Sequence, residues 1–328
     1  MTTAQDSRSP IRWGVMGGAS FVANVAVIPA IIAEARSVIA VFASLSHPGK
    51  LPLDELGARR VDDYQDLIDK SLVDALYIAT PNSMHAQWAI AAMREGISVL
   101  CEKPIAISTA EIDELAHLAD KTGALVMEAY MTAFSMRDLE LRRIANSGRI
   151  GELQDIKAAF TFTLSDTRNY RWNPELGGGA LTDVGIYLLD PIIDLLGMPD
   201  GIEIETIDIK SGVVAGLVAN LDYDSGAHAE ISCSFEAPEE QSLRITGSDG
   251  VLSVEHAFTP SPLDTAITLI TPIGSETIFS PSNDPYSAMV KSFVDSHLDG
   301  SSPPRPIARS RQVISVVEEI LGRRAASG

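Results

Sequence analysis

Three side chains in two distant segments carry the chemistry this sequence offers. Lys103 stands in Leu100–Ala106, LCEKPIA, between Glu102 and Pro104 and just after an apolar run, Ile97 to Leu100, that reads as a strand. An ammonium at the mouth of a buried sheet must find a partner or shift its pKa. Far downstream, Pro174–Asp190 reads PELGGGALTDVGIYLLD. Its three glycines let the backbone lie flat against a ligand, and a helix begins near Leu181. Asp183 and Tyr187, four residues apart, share one face of that helix. A phenol can give a proton to an oxygen on which charge develops, and a lysine can hold that charge. A nearby ammonium is also expected to lower the pKa of the Tyr187 phenol. Taken singly, each residue has a plainer explanation. Lys103 would pair with Glu102 at the surface, Asp183 would favour a helix N-terminus, and Tyr187 would be a half-buried packer. Together they form an acid–phenol–amine set.

Such a set works only if the chain brings its members into one crevice. Apolar runs at Arg12–Met16, Val38–Leu45, Ala75–Ala79, Ile97–Leu100 and Leu125–Glu128 alternate with helical segments. The helix at Met84–Glu95 stops at Gly96, and that at Ser108–Thr122 opens with a capping box of Ser108 and Glu111. Strands alternating with helices predict a doubly wound parallel sheet. Beyond Leu153 the pattern changes to β-rich runs, Leu153–Leu164, Ile202–Lys210, Val213–Tyr223, Ala227–Phe235, Ser242–Thr246, Val251–Val254 and Thr265–Thr271. Turns such as DYDSGAH and TGSDGVL join them, which predicts an open, mainly antiparallel sheet. Helices at Leu181–Leu196, Pro285–Leu298 and Ile307–Arg324 flank it. The division falls near Ala129, giving a first domain of residues 1–128 and a second of 129–328.

The first strand-to-helix turn runs Gly17, Gly18, Ala19, Ser20, Phe21. In a dinucleotide-binding turn three positions are glycine; here they are Gly17, Ala19 and Val22, so two depart from the pattern. The end of the second strand has no acid to bind a ribose 2′-hydroxyl. It offers Ser44, Ser46, His47 and Lys50 instead, which favours NADP over NAD. ATPNSMHAQWA, with Thr80, Asn82 and His85, and CEKPIA, with Glu102 and Lys103, follow strands at the same crevice, where open α/β sheets bind their ligands.

Composition narrows the partners. With 328 residues and 45% apolar content the chain can bury two cores, and its net charge of −19 opposes nucleic acid and anionic membrane surfaces. No apolar run has the length of a signal peptide or a membrane span, so a cytoplasmic protein is expected. Cys101 and Cys233 make neither a disulfide framework nor a metal site, and Cys101 is expected in the core.

The glycine turn, ATPNSMHAQWA, CEKPIA, MEAYM, NPELGGGALTDVGIYLLD and DPYSAMVKSFVD together resemble the Gfo/Idh/MocA oxidoreductases over almost the whole chain. The pair CEKP and GGGALTDVGIY at this separation is the specific part. The resemblance implies a Rossmann domain carrying NADP or NAD, and a C-terminal α+β domain whose open sheet makes a homodimer or homotetramer. It implies that Lys103 touches the nicotinamide ribose and the reacting oxygen, that Tyr187 is the general acid/base, and that Asp183 orients substrate or cofactor. Arg171 in NYRWNPE and Tyr286 in DPY would line the cofactor cleft. The substrate would be a sugar or cyclic polyol, with keto-sugar reduction the leading activity. A dihydrodiol or xylose-type aldose dehydrogenase is the alternative, and a non-catalytic NADP-binding sensor the alternative of another class. A nucleotide-linked sugar would place its diphosphate on Arg168, Arg171 or Arg137. Thr132–Ala133–Phe134–Ser135 departs from the family's run at a segment facing the substrate side, which implies a substrate other than the commonest one.

Overall fold

The computed structural model describes residues 9–45 and 49–327; Ser46 and His47, named above, lie outside them. The first sheet contains β1 (Ile11–Met16), β2 (Ser37–Ala43), β3 (Arg59–Val61), β4 (Ala75–Ile78), β5 (Ser98–Glu102) and β6 (Val126–Ala129). All its pairings are parallel, in the order β3-β2-β1-β4-β5-β6. That is the doubly wound Rossmann order, with its crevice where the strand order reverses at β1 and β4. The central strands are apolar without alternation because helices cover both faces. Those helices are α1 (Ile28–Ala33), the short α2 (Pro52–Glu55), α3 (Asn82–Arg94) and α4 (Thr109–Thr122). α3 ends before Gly96 at φ 71°. α4 opens with the reciprocal Ser108–Glu111 capping box anticipated from the sequence.

At the end of β1 the backbone turns sharply. Gly17 adopts φ 85°, and a Cβ there would lie 2.4 Å from the Ala79 carbonyl oxygen, so only glycine fits. The amides of Gly17 and Gly18 donate to Ala43 O, fastening the turn to the end of β2. The following helix opens with a π turn over Ala23–Val27, where Asn24 Nδ2 donates to the carbonyls of Gly18 and Ser20. The helix follows the turn directly from Phe21 and ends at Ala33.

After α5 (Met136–Ala145) the chain enters the second sheet. Its strands are β7 (Leu153–Thr163), β8 (Gly201–Lys210), β9 (Val213–Asp222), β10 (His228–Ser234), β11 (Glu236–Gly247), β12 (Val251–Glu255), β13 (Ala266–Thr271) and β14 (Gly274–Phe279). The order is β14-β13-β12-β11-β7-β10-β9-β8. The sheet is mainly antiparallel, as expected; its one parallel pairing among the described residues is the central pair β7 and β10, where two antiparallel sections are joined side by side. The short α2 was not anticipated, and neither were three further elements. β3 is three residues of mostly polar sequence, β14 is an exposed polar edge strand, and α5 is rich in charge.

One face of the second sheet is covered by α6 (Ile186–Leu196), which is buried on nearly every side from Ile186 to Ile193. Two later helices, α7 (Pro285–Asp299) and α8 (Ile307–Ser327), return to the first sheet. Met289, Val290, Phe293 and Val294 of α7 enter the core around Trp13, with the Phe293 and Trp13 rings 4.8 Å apart. Just before α8, the buried Arg305 bridges Glu128 at the end of β6 and Asp190 on α6. No helix among the described residues is long and apolar enough to cross a membrane.

Candidate active site

A cleft of about 700 Å³ opens between the strand ends of the first sheet and the α6-covered face of the second. Lys103 stands on the turn after β5, and two neighbours hold that turn. His85, on α3, places Nδ1 2.7 Å from Pro104 O and Nε2 2.7 Å from Thr80 O. Glu128 accepts from the Ile105 amide at 2.8 Å. Burial lowers the His85 pKa, whereas two carbonyl neighbours favour a doubly protonated ring. A doubly protonated ring ties the turn after β4 to the lysine's turn, whereas a neutral ring donates to only one of the two carbonyls.

Lys103 finds its partner on the segment that leads into α6. Its Nζ donates to Asp183 Oδ1 and to the Asp183 carbonyl, each at 2.8 Å. The surface pair with Glu102, the plainer reading of this lysine, is absent; that carboxylate accepts instead from the Tyr77 hydroxyl at 2.8 Å. Arg171 Nε reaches the second Asp183 oxygen at 2.6 Å, and its guanidinium lies 4.9 Å from the Tyr170 ring centroid. Burial alone would raise the Asp183 carboxyl, but Lys103 and Arg171 hold it well below the usual carboxylate range. Two of the three ammonium protons of Lys103 are thus spent on Asp183, leaving one donor.

Asp183 lies on a π turn, Leu181–Gly185, that begins after the glycines and runs into α6. Tyr187, four residues on, faces the same cleft. Its ring packs 4.9 Å from Tyr130 and lies 5.1 Å from the Lys103 ammonium. The expected lowering of its pKa is not found. Burial pushes the phenol well above its ordinary value, and Tyr286, Glu102 and Asp183 push the same way. Burial also pushes the Glu102 carboxyl up to about 6, against the pull of Tyr77 and Lys103.

The strand ends also fit a nucleotide. The Ser44 and Thr80 hydroxyls, after β2 and β4, are buried without a protein partner among the described residues, and a buried hydroxyl left so calls for a ligand atom or water.

Of the residues singled out from the sequence, Ser20, Thr80, Asn82, His85, Glu102, Lys103, Arg171, Asp183, Tyr187 and Tyr286 converge on the cleft. Asn82 does so while donating to Gly177 O at 2.9 Å, stitching α3 to the glycine segment. Gly17, Gly18, Ala19 and Ser44 stand behind the lining, and Phe21 is 81% exposed outside it. The three arginines proposed for a diphosphate scatter. Arg137 donates to the carbonyls of Glu255 and His256, Arg168 pairs with Asp166 at the surface, and Arg171 is committed to Asp183. Of the segment Thr132–Ser135, no residue lines the cleft, although the preceding Met131 does. Missed entirely were Phe160, Phe162 and Thr163 on β7, Glu239 and Gln241 on β11, Thr259 and Tyr170. Phe160 and Phe162, alternating on one strand, carried a legible signal; the others did not.

Residues 11–130 match the oxidoreductase family described as having an NAD-binding Rossmann fold, and residues 139–253 match the GFO/IDH/MocA C-terminal domain. The chain is 32% identical over 314 residues to D-xylose 1-dehydrogenase (NADP(+)) 2 of Haloferax volcanii, covering 94% of this chain and 95% of that one. It is 27% identical over 320 residues to the dTDP-3,4-didehydro-2,6-dideoxy-alpha-D-glucose 3-reductase of Actinomadura kijaniata, covering 95% of each. The crystal structure of a 3-ketoreductase from Actinomadura kijaniata in complex with NADP and TDP-benzene superposes with a TM-score of 0.87 at 27% identity, over 94% of this chain and 96% of that one.

Proposed function

The chain belongs to the GFO/IDH/MocA oxidoreductase family, and from that premise we propose that it is an NADP(H)-dependent oxidoreductase acting on a sugar or cyclic polyol. In the reductive direction it converts a keto-sugar to the alcohol. The observation that carries this proposal is the meeting of Lys103, from the turn after β5, with Asp183 and Tyr187, from the start of α6, in one cleft.

Bound nicotinamide would supply or accept the hydride at the substrate carbon. The protein's own groups handle the oxygen. Lys103, anchored by Asp183, aims its remaining N–H at that oxygen and holds the charge growing there. Tyr187, kept protonated by burial, donates from Oη and recovers its proton from solvent. The same groups serve oxidation by microscopic reversibility. Arg171 keeps Asp183 ionised and so keeps the lysine in place.

Ser20 and the Gly17–Gly18–Ala19–Ser20–Phe21 turn would receive the pyrophosphate, Ser44 the adenosine ribose and its phosphate, and Thr80, Asn82, Glu102 and Tyr286 the nicotinamide side. The xylose dehydrogenase relative is NADP(+)-dependent and the ketoreductase crystal holds NADP, which supports NADP over NAD. A division of labour near residue 129, assembly of two or four copies through the open face of the second sheet, and residence in the cytoplasm, which suits two buried free thiols, belong to the same proposal.

The test is turnover of NADPH and NADP with a panel of keto-sugars, aldoses, polyols and trans-dihydrodiols, followed by nicotinamide absorbance. Tyr187→Phe and Lys103→Ala should each lower kcat by about 10² or more while cofactor affinity changes much less. Cofactor binding without turnover of any compound, or unimpaired turnover in both variants, would sink the proposal.

A further inference from the structure

Resting on the oxidoreductase reading, we infer that Glu239 selects substrate by charge. The cleft takes uncharged, unphosphorylated sugars or polyols and turns away those bearing a phosphate, a diphosphate or a carboxylate.

Glu239 lies at the end of an irregularity in β11. Glu236 pairs with Thr163 and Glu240 with Thr161, so Ala237, Pro238 and Glu239 together face Phe162 alone. The bulge is pinned from β7, where the Thr161 hydroxyl donates to Pro238 O and the Thr163 hydroxyl donates to Ala237 O at 3.0 Å. A bulge re-aims a side chain, and such devices gather beside active sites. Glu239 and Gln241, two apart, face the cleft by strand alternation, while Glu240 between them falls on the opposite, open face of the sheet.

The Glu239 carboxylate is free: among the described residues it has neither a hydrogen-bond nor an ion-pair partner. The fixed positive charges among the described residues of the cleft lining, Lys103 and Arg171, are both bound to Asp183. Both are held on Asp183, and the one remaining Lys103 N–H is directed to the reacting oxygen, so neither is released to pair with an anionic substituent, which would share the cleft with Glu239. Glu239 is exposed, so this repulsion acts through water, disfavours the anionic substrate and weakens as salt rises.

The neighbours suit hydroxyls instead. Thr259 Oγ1 donates to Gln241 Oε1 at 2.8 Å, which leaves the Gln241 amide nitrogen to donate to a substrate oxygen. Glu239 accepts from a substrate hydroxyl. Phe160 and Phe162 supply an apolar surface for the carbon face of a ring.

The experiment compares kcat/KM of the full chain with NADPH or NADP for matched compounds: a neutral sugar, its phosphate, its carboxylate and a nucleoside-diphosphate sugar. The neutral member should be preferred by about tenfold or more, with the preference shrinking as salt rises. Glu239→Gln and Glu239→Arg should each shift the ratio toward the anionic members by about tenfold or more, through KM. Preference of the wild-type chain for an anionic member, or a ratio unmoved in both variants while cofactor turnover continues, would overturn the inference. Failure to turn over any member would sink the oxidoreductase reading. Equilibrium binding of the same compounds to the NADPH complex then decides charge selection, with equal or tighter binding of the anionic ones counting against it.

Discussion

On the wall of the cleft built from the first sheet, together with the glycine segment that meets it, almost every group is tied down. Gly17 has no room for a side chain, His85 and Glu128 hold the turn that bears Lys103, and Lys103 and Arg171 converge on Asp183. The wall built from β7 and β11 is an ordinary pleated face. Phe160, Phe162, Gln241 and Glu239 project from it with few constraints besides strand pairing and a bulge. The difference separates two tasks. Proton and charge handling needs groups fixed against one another at hydrogen-bond distances, so a change there disturbs both fold and turnover. Choosing a substrate needs only groups that present the right charge and shape, so a change there alters preference and leaves the fold alone.

The sharpest way to break this contrast is Asp183→Asn. It strips the shared counter-charge from Lys103 and Arg171 inside the protein and is expected to cost about 3 kcal/mol of stability, together with most of the turnover. Denaturant unfolding reads the first and steady-state kinetics the second; a variant as stable as the parent would show that the first wall is not held as described. Next in size is Glu102→Gln. The folded pKa of Glu102 is raised from 4.5 to about 6, so its contribution is fully present below 4.5 and is lost as pH rises through about 6. The parent should therefore lose about 2 kcal/mol relative to the glutamine variant across that window. Parallel stability curves for the two proteins would refute it. The smallest effect sharpens the other side: Gln241→Ala should raise KM for a neutral sugar by about tenfold or less, with kcat and unfolding midpoint nearly unchanged. A large loss of stability there would erase the distinction.

The first wall was also the legible one. Its chemistry depends on backbone events that leave local marks, such as glycine at a tight turn, proline after lysine, and Ser108 and Glu111 spaced for a capping box. Sequence could place Lys103, Asp183 and Tyr187 in one crevice for that reason. It could not choose the partner of Lys103, because Glu102 is adjacent in the chain while Asp183 is brought in by folding. Nor could it sign the Tyr187 shift, since burial outweighs the neighbouring ammonium. The second wall left fewer marks. The bulge at Ala237–Glu239 arises from how β11 meets β7, and the parallel contact of β7 with β10 arises from two distant strands lying side by side. β3 and β14 went unseen because a short polar edge strand has no apolar run to announce it.

The return of α7 to the Trp13 core has a practical corollary for anyone who would dissect the molecule. A fragment ending near Ala129 would lack Val290, Phe293 and Val294, which fill the side of its own sheet, and Arg305, which answers Glu128. Expressed by itself, such a fragment would expose a greasy scar and a stranded acid, so the nucleotide half cannot be lifted out of this polypeptide by one cut.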